Sequence, residues 1–452
     1  MTVRYDVVVK DGLVVYPENM LRADLGVVQG RIEKVSGNEP LQGTQVIDAS
    51  GCYVLPGLVD PHTHPVYLDD LGGLAKTAAY GGVTTVIHYA YAKPGKSLVQ
   101  VIGEWKEEGE RSSCIDFALH GGLFDTLTQA DEIPEAFALG VTSFKVFMAY
   151  AKLGWMTDDY AMAKCMDIVA GQGGMVAVHA ETGLAIDYIM DRMLAEGADF
   201  AERFLETSPA IAEAEGMFRA VHIGRLMGCP VYIPHISSAE GVEVMRFLRD
   251  RGVRVYAETC PQYLGLTWEV LKSRGPLGKV GPSIKSEEDR LALWRGVQEG
   301  VIDTIGSDHA PKNKKADDDF FEAAYGSPEV ETMLPVVWHY GVNRGLITPN
   351  EVASLMAENA ARIAGLFPQK GRLEPGSDAD LCIFDPAERW VINSEGQHTA
   401  ASYTLFEGLE VTGRVRNVLS RGRLIIEGGE FSGRPGDGRF LPTRAGRWTR
   451  ER

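Results

Sequence analysis

The sequence has no excess of basic residues. Its 45 Lys and Arg residues are outnumbered by 62 Asp and Glu residues, which leaves a formal net charge of −17 at pH 7. A surface with this balance repels nucleic acid and anionic membranes, because both are negatively charged themselves. The composition therefore argues against nucleic acid and membrane as partners, and the acidity is interpreted as a contribution to solubility.

Paired cysteines and long apolar segments are also missing. The six cysteines are scattered and none belongs to a Cys-x-x-Cys motif, which argues against a disulfide framework and a cysteine-based zinc site. Most of them lie in apolar runs and are predicted to be buried free thiols. The N-terminus has no signal-peptide pattern, and no uncharged apolar stretch is long enough to cross a bilayer. These absences predict a protein of the reducing cytoplasm.

Apolar runs and helical segments alternate through most of the chain. Between residue 52 and about residue 308, eight such runs are separated by segments of helical spacing such as 161–169 and 287–297, which is the pattern of a TIM barrel. The runs are 53–64, 83–89, 115–119, 141–148, 175–179, 231–235, 253–257 and 301–305. A doubly wound open sheet is the competing fold, but its phosphate-binding glycine fingerprint is absent.

The predicted organisation is a barrel with a small domain built from both ends of the chain. Residues 1–51 have the pattern of short strands and turns, and the barrel is assigned to residues 52–370. Residues 371–432 return to strand character and are predicted to join residues 1–51 in one β-sandwich. Residues 433–452, rich in Gly, Pro and Arg, are predicted to form an arm on the surface or on a neighbouring subunit.

Residues able to bind metal recur where the predicted strands end. His62 and His64 close the first run, and alternate side chains of an extended chain point the same way, so both imidazoles face one side. His179, His235 and Asp308 lie at the ends of the fifth, sixth and eighth runs. Active sites of barrels lie at the C-terminal ends of the strands. Each residue alone has an ordinary structural explanation, but together they predict a site for a divalent metal of the zinc type.

Lys145 lies inside the fourth apolar run, where a lysine cation is costly to bury. One explanation is a buried ion pair, or a side chain that extends to the surface. The other is that the amine is neutral and has reacted with carbon dioxide to give a carbamate, an anionic ligand whose two oxygens can bridge two metals. The residues alone leave both explanations open.

This set of residues resembles the binuclear amidohydrolase superfamily over nearly the whole chain, and most closely its hydantoinases and dihydropyrimidinases. The supporting stretches are 57–64 (GLVDPHTH), 144–150 (FKVFMAY), 178–181 (VHAE), 261–264 (PQYL) and 376–381 (GSDADL). The resemblance implies one metal held by His62, His64 and Asp308 and a second metal held by His179 and His235. It also implies a carbamate on Lys145 between the metals, and a homo-oligomer, either a tetramer or a dimer.

By the same resemblance, the protein is expected to hydrolyse a cyclic amide. Two divalent metals, zinc in the first place with manganese or cobalt as alternatives, would activate a water molecule. Asp308 would take a proton from this water and pass it to the leaving nitrogen. Tyr150 would donate a hydrogen bond to the developing oxyanion, although an ordinary strand-end aromatic is the other explanation for this residue. Opening a hydantoin or dihydropyrimidine ring would give an N-carbamoyl amino acid.

Departures from the family pattern fall on the substrate pocket. Residues 281–283 are GPS where many hydantoinases have Ser-Pro-Pro, and residues 327–329 are SPE where an asparagine often meets the ring amide. Tyr150, Gly281 and Pro328 are accordingly expected to contact the substrate. No arginine follows His64, which argues against dihydroorotase activity. Allantoinase, another cyclic amidase and a non-catalytic dihydropyrimidinase-like scaffold remain as alternatives, although all six expected ligands are present.

Overall fold

The computed structural model describes residues 4–197 and 200–444. In this part of the chain the strands form two separate sheets, one of eight strands and one of nine. No helix within these residues is both long enough and apolar enough to cross a bilayer. The described strands, in chain order, are β1 (Tyr5–Val15), β2 (Met20–Val28), β3 (Arg31–Ser36), β4 (Gly43–Asp48), β5 (Tyr53–Pro56), β6 (Leu58–Thr63), β7 (Val83–Ala92), β8 (Asp116–Leu123), β9 (Ser143–Phe147), β10 (Met175–His179), β11 (Val231–Ile233), β12 (Val255–Thr259), β13 (Thr304–Ile305), β14 (Leu381–Val391), β15 (Glu410–Ser420), β16 (Arg423–Glu427) and β17 (Glu430–Phe431).

Helices follow most of the barrel strands, and the helices predicted from spacing at 161–169 and 287–297 are confirmed. The described α-helices are α1 (Leu71–Tyr80), α2 (Leu98–Ser112), α3 (Thr126–Gln129), α4 (Ile133–Ala138), α5 (Asp159–Gly171), α6 (Gly183–Ala195), α7 (Phe200–Thr207), α8 (Ala210–Met227), α9 (Ala239–Arg249), α10 (Pro261–Gly265), α11 (Val270–Arg274), α12 (Glu287–Gln298), α13 (Met333–Val337), α14 (Pro349–Ala353) and α15 (Asn359–Ile363). Short 3₁₀ turns lie at Ala130–Glu132, Ala151–Leu153, Gly275–Gly278 and Ser394–Gly396, and π-helical turns at Trp338–Val342 and Ser354–Glu358.

The eight-stranded sheet is the predicted barrel. Strands β6 to β13 are parallel and pair in sequence order, and a bridge between His309 and Thr63 links the segment after β13 back to β6. All residues of β8, β9, β10 and β12 are buried, since side chains fill the interior and helices cover the outer face. This closure brings the ends of distant strands to one rim.

The nine-stranded sheet joins both ends of the chain, as the sequence predicts. Its order is β17-β16-β15-β14-β5-β1-β2-β3, with β4 beside β1. Apolar residues from both ends share one hydrophobic cluster, in which Val9 and Val54 pack with Ile383 and Leu419. The small domain is therefore stabilised by contacts between segments more than 300 residues apart in sequence.

The first apolar run is divided, which corrects the prediction of a single strand over residues 53–64. Residues 53–56 form β5 of the nine-stranded sheet and residues 58–63 form β6 of the barrel. Gly57 lies between them, where β5 pairs with β1 and β14 and β6 pairs with β7, and a β-carbon at this position would lie 2.2 Å from the Thr84 hydroxyl. The run therefore connects the two domains, and its apolar character reflects burial on both sides of this junction.

The last described residues lie against the barrel of the same chain. The Arg439 amide donates to the Asp116 carboxylate at 2.9 Å, and the Leu441 amide donates to the Phe117 carbonyl at 2.7 Å. Residues 433–444 of the predicted arm are thus docked near the start of β8. The rest of that arm, residues 445–452, lies outside the described residues.

Candidate metal centre

His62, His64 and Asp308 form a compact group at one end of the barrel. The two imidazoles lie at the end of β6, and Asp308 follows β13 directly before His309, which bridges to Thr63. The Nε2 atoms of His62 and His64 lie 3.2 and 2.9 Å from the Asp308 carboxylate. Ligand atoms of all three residues lie within 4.8 Å of one another, a spacing that one divalent cation can bridge.

His179 and His235 form a second group beside the first. His179 ends β10, and His235 follows β11. His179 Nδ1 and His235 Nε2 are 3.1 Å apart, close to the separation of two ligands on an ion whose bonds to nitrogen are about 2.0–2.1 Å long. The ring centroids of His62 and His235 are 5.4 Å apart, so the two groups are adjacent.

Lys145 lies in the middle of β9 and faces the same cavity as both groups. It is 1% exposed, and among the described residues its Nζ has no hydrogen-bond partner, so neither the ion pair nor the surface-reaching side chain is found. Its neighbours are the rings of Tyr89 and Phe147, each with its centroid 5.4 Å from Nζ. Burial lowers the pKa of Lys145 to about 8, although the negative charges of Asp308 and Glu258 act to raise it. A neutral amine is therefore more populated here than in an exposed lysine.

Three residues around the centre adopt the left-handed backbone conformation that non-glycine residues rarely occupy. The φ angle is 66° at Tyr150, 46° at His235 and 51° at Asp308. Such conformations cost of order 1–3 kcal/mol each and persist where the surrounding structure holds them. All three residues follow barrel strands and line one cavity, and among the described residues the other non-glycine residues with positive φ are Asp11, Gln29 and Arg421, away from this site.

Burial and neighbouring charges set the protonation states that metal ligands need. Desolvation lowers the pKa of His64, and it lowers the pKa values of His62 and His235 well below the ordinary value, so these imidazoles stay neutral. Burial would raise the pKa of Asp308, but His62, His64 and Lys145 together lower it to about 2. Neutral imidazoles beside an ionised carboxylate form a donor set suited to a divalent cation.

Two carboxylates behind the histidines hold the rings in place. Glu258 of β12 lies 2.6 Å from His62 Nδ1, and Glu181 lies 2.8 Å from His179 Nε2. A partner at one ring nitrogen orients the other nitrogen toward a metal and fixes the tautomer. Sequence reasoning assigned no role to either acid. The signal was present for Glu258, since it follows the seventh apolar run directly, as the predicted ligands follow theirs.

The candidate centre opens into a cavity of about 620 Å³, within the range of small-molecule sites. All six predicted metal ligands line this cavity, together with Tyr150 and Gly281. A β-carbon on residue 281 would lie 2.7 Å from the Tyr150 hydroxyl, so the glycine leaves room for that group. The structure thus brings together these eight of the nine residues that the sequence places at the site.

Pro328 is the ninth residue, and it is not among the described residues that line the cavity. It is buried, and the part of its loop that lines the cavity is Tyr325 and Gly326. Ser327, the residue before Pro328, bridges to His309 on the segment after β13.

Comparisons with known proteins agree with this architecture. The amidohydrolase family pattern matches residues 53–425. The D-hydantoinase of Ralstonia pickettii is 36% identical over 456 residues, covering 97% of this chain and 99% of that protein. The L-hydantoinase of Paenarthrobacter aurescens is 31% identical, covering 97% and 98%. The crystal structure of dihydropyrimidinase from Brevibacillus agri NCHU1002 has a TM-score of 0.93 at 32% identity, covering 98% of this chain and 99% of that one. Similarity over the full length shows that this chain belongs to the amidohydrolase family.

Proposed function

We propose that this protein opens the ring of a cyclic amide or ureide, of the hydantoin or dihydropyrimidine type, to give an N-carbamoyl amino acid. The observation that carries the proposal is the convergence of four imidazoles, one carboxylate and one buried amine, from separate barrel strands, on a cavity of about 620 Å³. Full-length relatives named hydantoinase and dihydropyrimidinase support the same reaction.

The donor set fits two divalent cations. His62, His64 and Asp308 would hold one, and His179 with His235 would hold the other. We propose zinc, because imidazole nitrogen and carboxylate oxygen are among its usual ligands; manganese and cobalt are the alternatives that the same donors accept. When bound, the cations supply a water of lowered pKa and a polarised carbonyl.

Lys145 is proposed to carry a carbamate that bridges the two cations. The neutral amine nitrogen attacks the carbon of carbon dioxide, a nitrogen–carbon bond forms, one oxygen takes the electrons of its π bond, and the nitrogen loses a proton. Support comes from the burial of the amine, from its lack of a hydrogen-bond partner among the described residues, and from its lowered pKa of about 8. The modification would convert an unpaired amine into an anionic ligand.

Asp308 and Tyr150 are proposed to act on the substrate directly. With a pKa of about 2, Asp308 is ionised at neutral pH, so it can accept a proton from the attacking water and then give it to the leaving ring nitrogen. Burial raises the pKa of Tyr150 well above the ordinary value. Its hydroxyl therefore stays protonated and can donate a hydrogen bond to the carbonyl oxygen as negative charge develops there.

We further propose that the protein is a homo-oligomer, a tetramer or a dimer, of the reducing cytoplasm. The six cysteines, all within the described residues, are buried free thiols as predicted, which is consistent with a reducing compartment.

The reaction is tested by metal analysis together with ring-opening assays on hydantoin, dihydrouracil and allantoin. The expected result is about two divalent cations per chain and release of an N-carbamoyl product from hydantoin or dihydrouracil. Preferential opening of allantoin would favour the allantoinase alternative. A protein that stays metal-free and inactive after supplementation with zinc and bicarbonate would support the non-catalytic scaffold and contradict the proposal.

A further inference from the structure

A lysine with no anionic partner lines the cavity beside the candidate metal centre. Lys312 lies four residues after Asp308, and its Nζ is 2.6 Å from the centroid of the Tyr67 ring. That ring centroid lies 6.3 Å from the ring centroid of His64. Within residues 4–197 and 200–444, no carboxylate or carbonyl oxygen accepts a hydrogen bond from this amine. Lys312 therefore brings an uncompensated cation close to where a substrate ring would bind.

The other lysines of the cavity wall have partners or an assigned role. Lys152 is ion-paired with Asp191. Lys279 donates hydrogen bonds of 2.9 and 2.8 Å to the carbonyl oxygens of residues 320–321. Lys145 is the proposed carbamate position. Lys312 thus differs from Lys152 and Lys279 in having no oxygen acceptor for its amine among the described residues, and from Lys145 in having no assigned role at the candidate metal centre.

The acidic groups near the centre do not neutralise Lys312 either. The Glu181 carboxylate contacts His179 and accepts a hydrogen bond from Ser208 at 2.6 Å. Asp308 contacts the imidazoles of the metal centre and acts on Lys312 only through its charge. Burial lowers the pKa of Lys312 to about 7, so an anion bound at this amine would stabilise its charged form.

We propose that Lys312 and Tyr67 form a subsite for a carboxylate carried on the ring substituent of the substrate. The inference rests on the proposed function and narrows its substrate class to anionic cyclic ureides such as carboxyalkyl hydantoins. The ammonium group donates charge-assisted hydrogen bonds to the carboxylate, and the Tyr67 ring holds the ammonium by a cation–π contact. The missing arginine after His64 then does not exclude acidic substrates, because the loop after β13 supplies the cation.

The test compares 5-(2-carboxyethyl)hydantoin with its neutral amide, 5-(2-carbamoylethyl)hydantoin. We expect the wild-type protein to prefer the acid in kcat/KM. In Lys312→Met this preference should fall about tenfold to a hundredfold, the value of a lost charge-assisted hydrogen bond, and Lys312→Arg should retain most of it. Lys152→Met is the matched control, since it removes another lysine of the same wall and should leave the preference unchanged. Calorimetric binding of both compounds to zinc-loaded Tyr150→Phe, which keeps every proposed metal ligand and loses the proposed oxyanion donor, gives a readout with little turnover.

The outcomes separate this inference from the reaction on which it rests. If the wild-type protein opens or binds the amide as well as the acid, the subsite is wrong and the proposed function stands. Equal losses for both compounds in Lys312→Met would likewise overturn the subsite, because they would indicate a general role near the metals. If neither ring is opened or bound, the proposed function fails and the subsite fails with it.

Discussion

Two buried lysines in this chain have opposite surroundings. Lys145 and Lys370 are each 1% exposed. Lys370 donates hydrogen bonds of 2.6 Å to both Asp116 and Asp380, and it pairs with Asp378 at 3.0 Å. Burial alone would lower the pKa of Lys370, but these three carboxylates raise it. Lys145 has no such partner among the described residues, and its pKa falls.

The difference teaches how to distinguish a structural charge cluster from a candidate metal site. The ligand atoms of Asp116, Asp378 and Asp380 lie within 4.8 Å of one another, as do those of the metal centre at His62. The acidic cluster, however, already contains its counter-charges, because Lys370 contacts all three carboxylates, Arg421 pairs with Asp116 at 3.1 Å and Arg31 with Asp378 at 3.9 Å. At the candidate metal centre, burial lowers the pKa of Lys145 to about 8, so its amine loses a proton more readily than that of an exposed lysine, and a bound divalent cation would supply charge to balance Asp308.

The largest expected effect comes from Lys145→Ala. Both cations would lose the ligand they share, so we expect loss of most bound metal and a fall in activity beyond the hundredfold to ten-thousandfold range of a single acid–base group. Short carboxylic acids should restore part of both, since they replace the carbamate oxygens. Metal analysis measures the bound metal, and ring-opening assays measure the activity. Metal content equal to that of the wild type would contradict the bridging role.

Lys370→Met should act on stability and leave the chemistry intact. Removing one partner of a buried ion cluster leaves charge uncompensated, and we expect the free energy of unfolding to fall by about 3–5 kcal/mol. Lys34→Met is the control, because that lysine belongs to an exposed pair with Glu39 worth at most about 1 kcal/mol. Denaturant unfolding gives the stability, and metal per folded chain should stay unchanged. If the free energy of unfolding of Lys370→Met fell by less than about 1 kcal/mol, the cluster would not stabilise the fold.

The two lysines should also give opposite pH dependences in the metal-free protein in buffer without carbon dioxide. The pKa of Lys145 is about 8 in the folded protein and about 10.4 in the unfolded chain. Between these two pH values the unfolded chain binds more protons than the folded protein, so the free energy of unfolding rises with pH, by about 3 kcal/mol in total. The raised pKa of Lys370 gives stability that is complete below about pH 10.4 and lost above it. Unfolding free energies of the wild type, Lys145→Met and Lys370→Met measure both dependences, from pH 7 to about 10 for Lys145 and above about pH 10.4 for Lys370. A difference between the wild type and Lys145→Met that does not change with pH would refute the lowered pKa.

The smallest effect is expected from Glu258→Gln. The amide keeps the shape of the carboxylate but weakens its hold on His62 Nδ1, so metal affinity should fall about tenfold to a hundredfold. Titration with a chelator measures the affinity. Glu215→Gln is a suitable control, because this exposed acid pairs with Arg219 away from the barrel interior. An unchanged affinity in Glu258→Gln would show that the ring is held by other contacts.

The sequence predicted the barrel, and it anticipated which side chains meet at the candidate metal centre, because both follow local rules. Apolar runs mark strands, and parallel strands bring the residues after them to one rim, which is why His62, His179, His235 and Asp308 line one cavity. The sequence could not show that the first run divides at Gly57, since that depends on which strands pair on either side of it. Such pairing has no period in the sequence.

The substrate pocket was less predictable than the metal centre. The loop with Pro328 has no regular structure, and it contains the bridge between Ser327 and His309, which spacing does not reveal. The Lys370 cluster was also missed, because its carboxylates come from segments more than 250 residues apart in sequence. Buried partners of this kind decide whether a lysine is structural or reactive, and they become visible only in the fold.

The most direct measurement is a crystal structure of the protein prepared with zinc and bicarbonate, with anomalous diffraction recorded at the zinc edge. The account predicts two adjacent anomalous peaks, one among His62, His64 and Asp308 and one at His179 and His235, joined by density for a carboxylated Lys145. A bare amine on Lys145, or a single peak under these conditions, would contradict it.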